Sequence, residues 1–548
     1  MRMADGTIRI HFVQAARATM LRAGCVFVLL LCVSGCGGGA GDAPPLSSMP
    51  TAAPTPASGT SQPPAAPEPL IVGTAQSIDN GANGDPVSLR VARSANGDGF
   101  AVWKADNGGI VPSGGSHHDL WANRYSAATA AWDGPIKVVA GSTEIEEFDL
   151  AVDATGNAVI AWNAITDPFD RERGMVMSAR FNTGEAAWAA PVPLNTGARF
   201  PRVASDATGA VLAVYVVSIS SPPLVSRVRG RFFDPASGVW QPEAAIEQNN
   251  GSTGSSFDPT ALLDGSGNAF VGFVHEPGVF ERIASNYYSR SAGSWGQLPP
   301  DSLPDAILGE VSGFGSQVIP QLQLATTNDG NFVAAWEERS AGDGSDTQIF
   351  TALFMGRSRS WSPARLLVQR APPQPQRDDG LRFPGQVRLE RIASNAAGNT
   401  LVLWTEGLTA DGSDTAFNRT RRALKAIRVN PAGASCSAVQ VVDSALGGGA
   451  AGADLGIDPA GNAIAIWQQF ESPFIELSRS NIAINRFDAA TGTWAAAVLA
   501  ELQSGNGLSP RASVPVAGQA LLGWIQAEGG VNRVKALLQP LDDMTAGR

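Results

Sequence analysis

Apolar residues fall along this chain in short, nearly unbroken runs that end on a large aromatic side chain, as in Ala463-Ile464-Ala465-Ile466-Trp467. A run with no polar alternation predicts a β-strand covered on both faces. A Gly stands six residues before the aromatic each time. The glycines are Gly97, Gly156, Gly209, Gly267, Gly330, Gly398, Gly461 and Gly518, and their partners are Trp103, Trp162, Tyr215, Phe273, Trp336, Trp404, Trp467 and Trp524. The residue after the Gly is Asn in five of the eight. Three residues before it stands an Asp at Asp153, Asp206, Asp264 and Asp458, with Asn395 as a near equivalent. Asp accepts backbone N–H groups and Gly supplies positive φ, so each such segment predicts a tight turn between a first and a second strand. A second hairpin follows. Met175 to Phe181 leads to Trp188, Arg231-Phe232-Phe233-Asp234 to Trp240 and Arg486-Phe487-Asp488 to Trp494, with Trp132, Trp295 and Trp361 in the same place.

Successive glycines are 53 to 68 residues apart, room for four strands and too little for a separate domain. That period predicts an all-β, eight-bladed β-propeller of four-stranded blades over residues 70–540. Its repeated aromatics pack between blades, where each removes about 150 to 250 Å² from water. The last repeat has two strands from Arg511 to Trp524 and a third around Arg533 to Leu538, but only ten residues remain after it, Pro540 among them. Leu70-Ile71-Val72 resembles the fourth strands elsewhere, such as Pro135-Ile136-Lys137-Val138. The N-terminal strand is therefore expected to complete the eighth blade and remove an exposed edge.

Composition adds the setting. The 548 residues carry 16% charged side chains, 61 Gly and 37 Pro, and a net charge of −11, a balance that argues against a nucleic-acid partner. Cys25 to Val33 is an apolar stretch behind Arg17 and Arg22, far shorter than the roughly 20 residues a membrane span needs. It reads as the h-region of an export signal over residues 1–35, with Met20 as an alternative start. Val33-Ser34-Gly35-Cys36 then resembles the lipobox of bacterial lipoproteins, which implies that Cys36 is lipidated and becomes the first residue of the mature chain. Gly37 in second place favours the outer membrane. From Gly37 to Pro69 the composition is Gly, Pro, Ala, Ser and Thr, so residues 36–69 are a tether that spans about 30 Å as a coil. Residues 541–548 form a tail. Once Cys25 and Cys32 leave with the signal and Cys36 is lipidated, Cys436 has no partner for an internal disulfide.

Tight turns between strands one and two and between three and four share one face of a propeller. The longer second-to-third connections share the other: Lys104 to Asp119, Asn163 to Gly174, Val216 to Arg227, Glu337 to Thr347, Thr405 to Asn418 and Gln468 to Ser480. Long loops on a rigid scaffold are where binding residues concentrate. Seven residues before each repeat Gly stands a polar side chain followed by an apolar one: Arg90, Asp149, Arg202, Thr260, Gln323, Arg391, Asp454 and Arg511. Placed at the start of the innermost strands, these eight are expected to ring the mouth of the central channel on the long-loop face. Four Arg against two Asp make that ring positive and suited to a carboxylate or other anion, although solvated strand ends that pair with one another would show the same pattern.

Catalytic patterns are sparse. The mature chain has His117, His118 and His275, without HExxH or Gly-x-Ser-x-Gly spacing. Glu276, Glu338 and Glu406 follow the second-strand aromatics of blades four to six and, if clustered, could do carboxylate chemistry on a glycan. The pentapeptides Asp343-Gly344-Ser345-Asp346-Thr347 and Asp411-Gly412-Ser413-Asp414-Thr415 read as a duplicated turn, because Ca²⁺ needs six to eight oxygen ligands. No cofactor and no metal site is expected. The repeat region looks like a bacterial β-propeller lipoprotein, and Asp488 to Trp494 is similar to the repeats of quinoprotein-like propellers. Those include an eight-bladed lipoprotein scaffold of outer-membrane protein assembly. The Gly-Asn-Ala-x-x-x-Trp hairpin sits at a different position, so the assembly role is not carried over. The reading is a membrane-tethered, non-catalytic scaffold for a protein or glycan partner. A polysaccharide hydrolase or lyase on the same face and a structural surface protein are its alternatives.

Overall fold

The computed structural model describes residues 72–541 except 82–83, 111–115, 142, 166–173, 220–224, 248–253, 277–281, 297–321, 328–329, 340–346, 369–386, 409–420, 431–435, 473–477 and 502–504. The export signal, the lipobox with Cys36 and the tether lie outside this range, as do most of both pentapeptides and the tips of most long loops. Within it the chain forms eight antiparallel sheets, one per repeat. Their first strands are Asp85–Arg93, Glu144–Val152, Ala198–Ser205, Ser255–Leu263, Leu322–Thr326, Val387–Ser394, Ala450–Ile457 and Gly507–Val516. Each packs against the first strand of the next blade, and the eighth against the first, so these strands line the axis of a closed ring.

The turn chemistry is the one the repeat implies. All eight repeat glycines have positive φ, between +71° and +95°. Asp153 Oδ1 accepts the N–H groups of Thr155 and Asn157, and Asp206, Asp264 and Asn395 do the same for their own turns. The recurrent Asn has its own task. The side-chain oxygens of Asn157, Asn268, Asn331 and Asn462 accept N–H groups of Thr183, Arg290, Gly356 and Ala489, which ties the second hairpin of a blade to the first.

Continuous apolarity follows from stacking. In the second strand of the seventh blade, Ala463, Ala465 and Trp467 face the sixth blade, while Ile464 and Ile466 face the eighth. Every one of the eight repeat aromatics is buried in a cluster shared with the preceding blade. Trp103 closes the circle by packing with Leu521, Ile525 and Val534 of the eighth. Outer tryptophans are clamped across the third and fourth strands: Trp132, Trp188, Trp240, Trp295, Trp361 and Trp494 stand opposite Tyr125, Phe181, Phe233, Tyr288, Phe354 and Phe487, with ring centroids 5.4–5.7 Å apart. In the sixth blade a bridge from Val429 to Cys436 takes this place.

The N-terminal segment completes the eighth blade, but by different residues from those expected. Gln76–Ser77 pairs antiparallel with Ala536 and Lys535 of the third strand Val531–Pro540. Val72 packs on the same blade without joining the sheet, and Leu70 and Ile71 lie outside the described residues. Four contacts lock the clasp: Gly73 N–H to Gln539 Oε1 at 3.0 Å, Ile78 N–H to Val534 O at 2.9 Å, Lys535 Nζ to Ser77 Oγ at 2.7 Å and Asn123 Nδ2 to Ile78 O at 2.8 Å. The last of these reaches into the first blade, so the clasp joins both ends of the ring.

Candidate functional site

The inner strands are not uniform ladders. In blades one, two, three, four, six, seven and eight the pairing slips just before the polar ring position, at Pro86/Ser88, Ile145/Phe148, Arg199/Arg202, Phe257/Thr260, Leu389/Arg391, Ala451/Asp454 and Leu508/Arg511. A bulge bends the strand and re-aims the side chains beside it. Its residue has positive φ at Phe200 (+54°), Asp258 (+46°), Gly452 (+60°) and Ser509 (+51°). For the three that are not Gly this is a costly backbone, of the kind that collects at ligand sites.

Apart from Gln323, second in Leu322–Thr326, the ring residues sit in mid-strand, below the bulge, and not at the strand starts where they were expected. Arg90, for example, is preceded by five residues of its strand and followed by three. Seven of the eight, six charged residues and Gln323, then converge at the axis. Arg90 Nε lies 3.8 Å from Asp149 Oδ1, and Asp149 Oδ2 accepts the N–H of Val203 in the next blade at 3.0 Å. Opposite, Arg391 Nε lies 3.0 Å from Asp454 Oδ1, and Asp454 Oδ2 accepts the N–H of Ala512 at 3.0 Å. Gln323 Oε1 accepts Arg391 NH1 at 3.4 Å. Thr260 is half-buried beside Gly272 and is not drawn into these pairs. The arrangement is two Arg–Asp–Arg runs, Arg90–Asp149–Arg202 and Arg391–Asp454–Arg511, that meet where Arg511 neighbours Arg90.

Charge around this ring is graded. Arg202 NH1 also bonds Glu147 Oε2 at 2.5 Å, and although burial works against the cation, Glu147 and Asp149 hold its pKa above the ordinary value. Burial pushes the Asp258 carboxyl up and the nearby Arg202 opposes it. Arg511 has no such acid. Burial pushes its guanidinium down to about 10, and the Arg90 cation adds to that against partial relief from Asp454. Arg90 is likewise lowered by burial, opposed by Asp149. Its side chain is still 29% exposed, as expected of a narrow wet channel walled by protein. Expectation named four Arg and two Asp; the acids Glu147 and Asp258 were missed because they stand two residues before the ring position, on the bulge.

The other candidates lie on neighbouring blades. Glu276 is exposed on blade four, Glu338 half-buried on blade five, and Glu406 on blade six receives Lys425 Nζ at 2.8 Å. His275 meets Ser256 Oγ at 2.9 Å through Nδ1, and the same nitrogen lies 3.7 Å from Glu247 Oε1, itself 3.2 Å from Arg227 NH1. Burial pushes the Glu247 carboxyl up and Arg227 opposes it. Ser and Glu crowd one ring nitrogen here and Ser256 is fully buried, so the group staples blades three and four instead of offering a nucleophile. Among the described residues no group of three or more His, Cys, Asp or Glu is placed to hold a metal ion, and no helix is long and apolar enough to cross a membrane. Strands run further into the long-loop face than expected, pairing to Ile110 and Ser116 in blade one and to Ile219 and Val225 in blade three.

Neither a protein-family model nor a curated protein matches this chain. Among solved structures it is similar to a protein of unknown function from Dyadobacter fermentans, at 12% identity and a TM-score of 0.34 over 62% of this chain and 96% of that one. It is also similar to a polysaccharide lyase described as an ulvan lyase, at 11% identity and a TM-score of 0.42 over 84% of this chain and 96% of that one. The polysaccharide lyase Uly1 gives 10% identity and a TM-score of 0.42 over 84% and 90%. Likeness at this level assigns no residue and no activity here.

Proposed function

We propose that this chain is a lipid-anchored, non-catalytic binding scaffold of the bacterial outer membrane, which presents the loop face of its propeller and the charged axis beneath to a protein or glycan partner of the cell envelope. The observation that carries the reading is the convergence of six charged side chains from six blades on one axis, where Glu147 and Asp149 meet Arg202 while Arg511 lies beside Arg90. The direction of the chain at the clasp supports it. Gly73 lies level with Gln539, beside the turn where Leu541 N–H bonds Gly518 O, so Val72 and Gly73 stand on the tight-turn face, away from the loop face.

The test is to crosslink the lipidated protein in its own envelope, as the wild type and with Arg90, Arg202, Arg391 and Arg511 all changed to Glu. Loss of the captured partners from the variant is the expected result. Recovery of the same partners, or capture of none by the wild type, would contradict the axis as a binding site.

A further inference from the structure

The ring is most positive where the eighth blade meets the first, and the two strands that meet there carry the same short pattern. Leu508-Ser509-Pro510-Arg511 and Val87-Ser88-Leu89-Arg90 both place an aliphatic residue three before the Arg and a Ser two before it. Elsewhere the Ser position holds Glu147, Phe200, Asp258, Gln321, Leu389 or Gly452. The two strands are pressed together. Gly523, which pairs with Arg511, lies so close to blade one that a Cβ on it would stand 2.7 Å from Val91 Cγ1. The side-chain hydrogen bonds of Arg511 and Arg90 go to their preceding carbonyls, Pro510 O at 2.8 Å and Leu89 O at 3.2 Å, and Asp149 at 3.8 Å is the nearest acid to Arg90.

Above this pair the surface is aliphatic and open. Val87, Leu508 and Val531 are 43%, 37% and 51% exposed. The connection between the second and third strands of blade eight is only Gly529-Gly530, so blade eight itself lays no long loop over the seam. Asn532 bonds Pro86 O at 3.1 Å and thereby sets Val531 beside the strand that carries Val87. The rim acid Asp85 accepts the Asn532 N–H at 3.1 Å. None of the exposed large hydrophobic side chains among the described residues is aromatic, so the seam offers no ring for a sugar to stack on.

Resting on the reading of the axis as a binding site, we infer that the seam between blades eight and one is a subsite for the free C-terminus of a partner polypeptide: Arg511 and Arg90 receive the carboxylate, and Val87, Leu508 and Val531 receive an aliphatic terminal side chain. Paired guanidinium groups match a carboxylate through parallel charge-assisted hydrogen bonds, and the Ser88 and Ser509 hydroxyls stand where they can bond the terminal peptide group. The blade-three cation Arg202 is already met by Glu147, Asp149 and Asp258, which explains why the carboxylate would settle at this sector of the ring.

The inference is tested on the full chain by titrating two labelled hexapeptides that end in Ala-Val-Leu, one a free acid and one a C-terminal amide. The acid should bind at least roughly tenfold more tightly than the amide, which changes the ligand and not the protein. Arg511→Gln and Arg90→Gln should each weaken the acid by roughly tenfold, Leu508→Asp should do the same, and Arg428→Gln on the outer surface of blade six should not. Equal binding of acid and amide overturns the carboxylate subsite. A third probe, an oligogalacturonate, separates the two levels. If it binds with Arg511 dependence while the peptide acid does not, the axis remains an anion site and the polypeptide inference falls. If neither binds, both readings fall.

Discussion

A chain that begins at Gly84 is expected to lose about 5 kcal/mol of stability and to leave its eighth blade open. The deletion removes Ile78, which is 4% exposed and worth about 1.5 to 3 kcal/mol of burial, together with the hydrogen bonds of Gly73 and Ile78 to the last strand. It also strips Asn123 Nδ2 of its buried acceptor, and an orphaned buried donor costs about 1 to 3 kcal/mol. The strand Val531–Pro540 then becomes a bare edge that can pair with another chain. Urea unfolding and hydrogen exchange check this: protection should fall first in residues 531–540, and a peptide of residues 70–83 added in trans should restore it. Unchanged protection of that strand would mean that the clasp contributes nothing to closure.

Trp467→Ala is the second large effect, about 3 to 5 kcal/mol. Trp467 is fully buried between blades six and seven among Leu401, Leu403, Leu424 and Ala465, and its indole N–H bonds Gln469 Oε1 at 2.7 Å. Truncation leaves a cavity that neighbours on two β-sheets cannot close, and it leaves Gln469, itself bonded to Gly447 O, short of a partner. Trp467→Phe keeps most of the packing and should cost less than half as much. Denaturant midpoints of the two variants decide the matter. A loss under about 1 kcal/mol for Trp467→Ala would show that the repeated aromatics are not the inter-blade core.

Much of this architecture was legible because its signals are local. Positive φ at Gly156 or Gly461 is required by a turn of four residues, and the Asp that closes it lies within reach along the chain. The alternation of Ala463, Ala465 and Trp467 with Ile464 and Ile466 is hidden by being apolar on both sides, yet that lack of polarity itself predicted a strand between two neighbours. What the sequence hid depends on register. Gln76–Ser77 is polar and two residues long, so the apolar Leu70-Ile71-Val72 drew the expectation instead. The ring side chains were read as strand starts because a bulge leaves no pattern of its own, although Pro201, Pro259 and Pro510 directly before Arg202, Thr260 and Arg511 marked where the ladder breaks. Likewise Glu147 reaches Arg202 across 55 positions of sequence, a contact that only the stacking of two blades creates.

Ring closure by the leading segment underlies the face assignment and the seam between blades eight and one. Ser77 and Lys535 are register partners across that closure. Replacing both with Cys and analysing the oxidised full chain by mass spectrometry should therefore give an intramolecular Ser77→Cys to Lys535→Cys disulfide in near-complete yield, with the fold retained. Two free thiols at these positions in a folded chain, or a bond that forms only between molecules, would contradict the closed eight-bladed ring and every site placed on it.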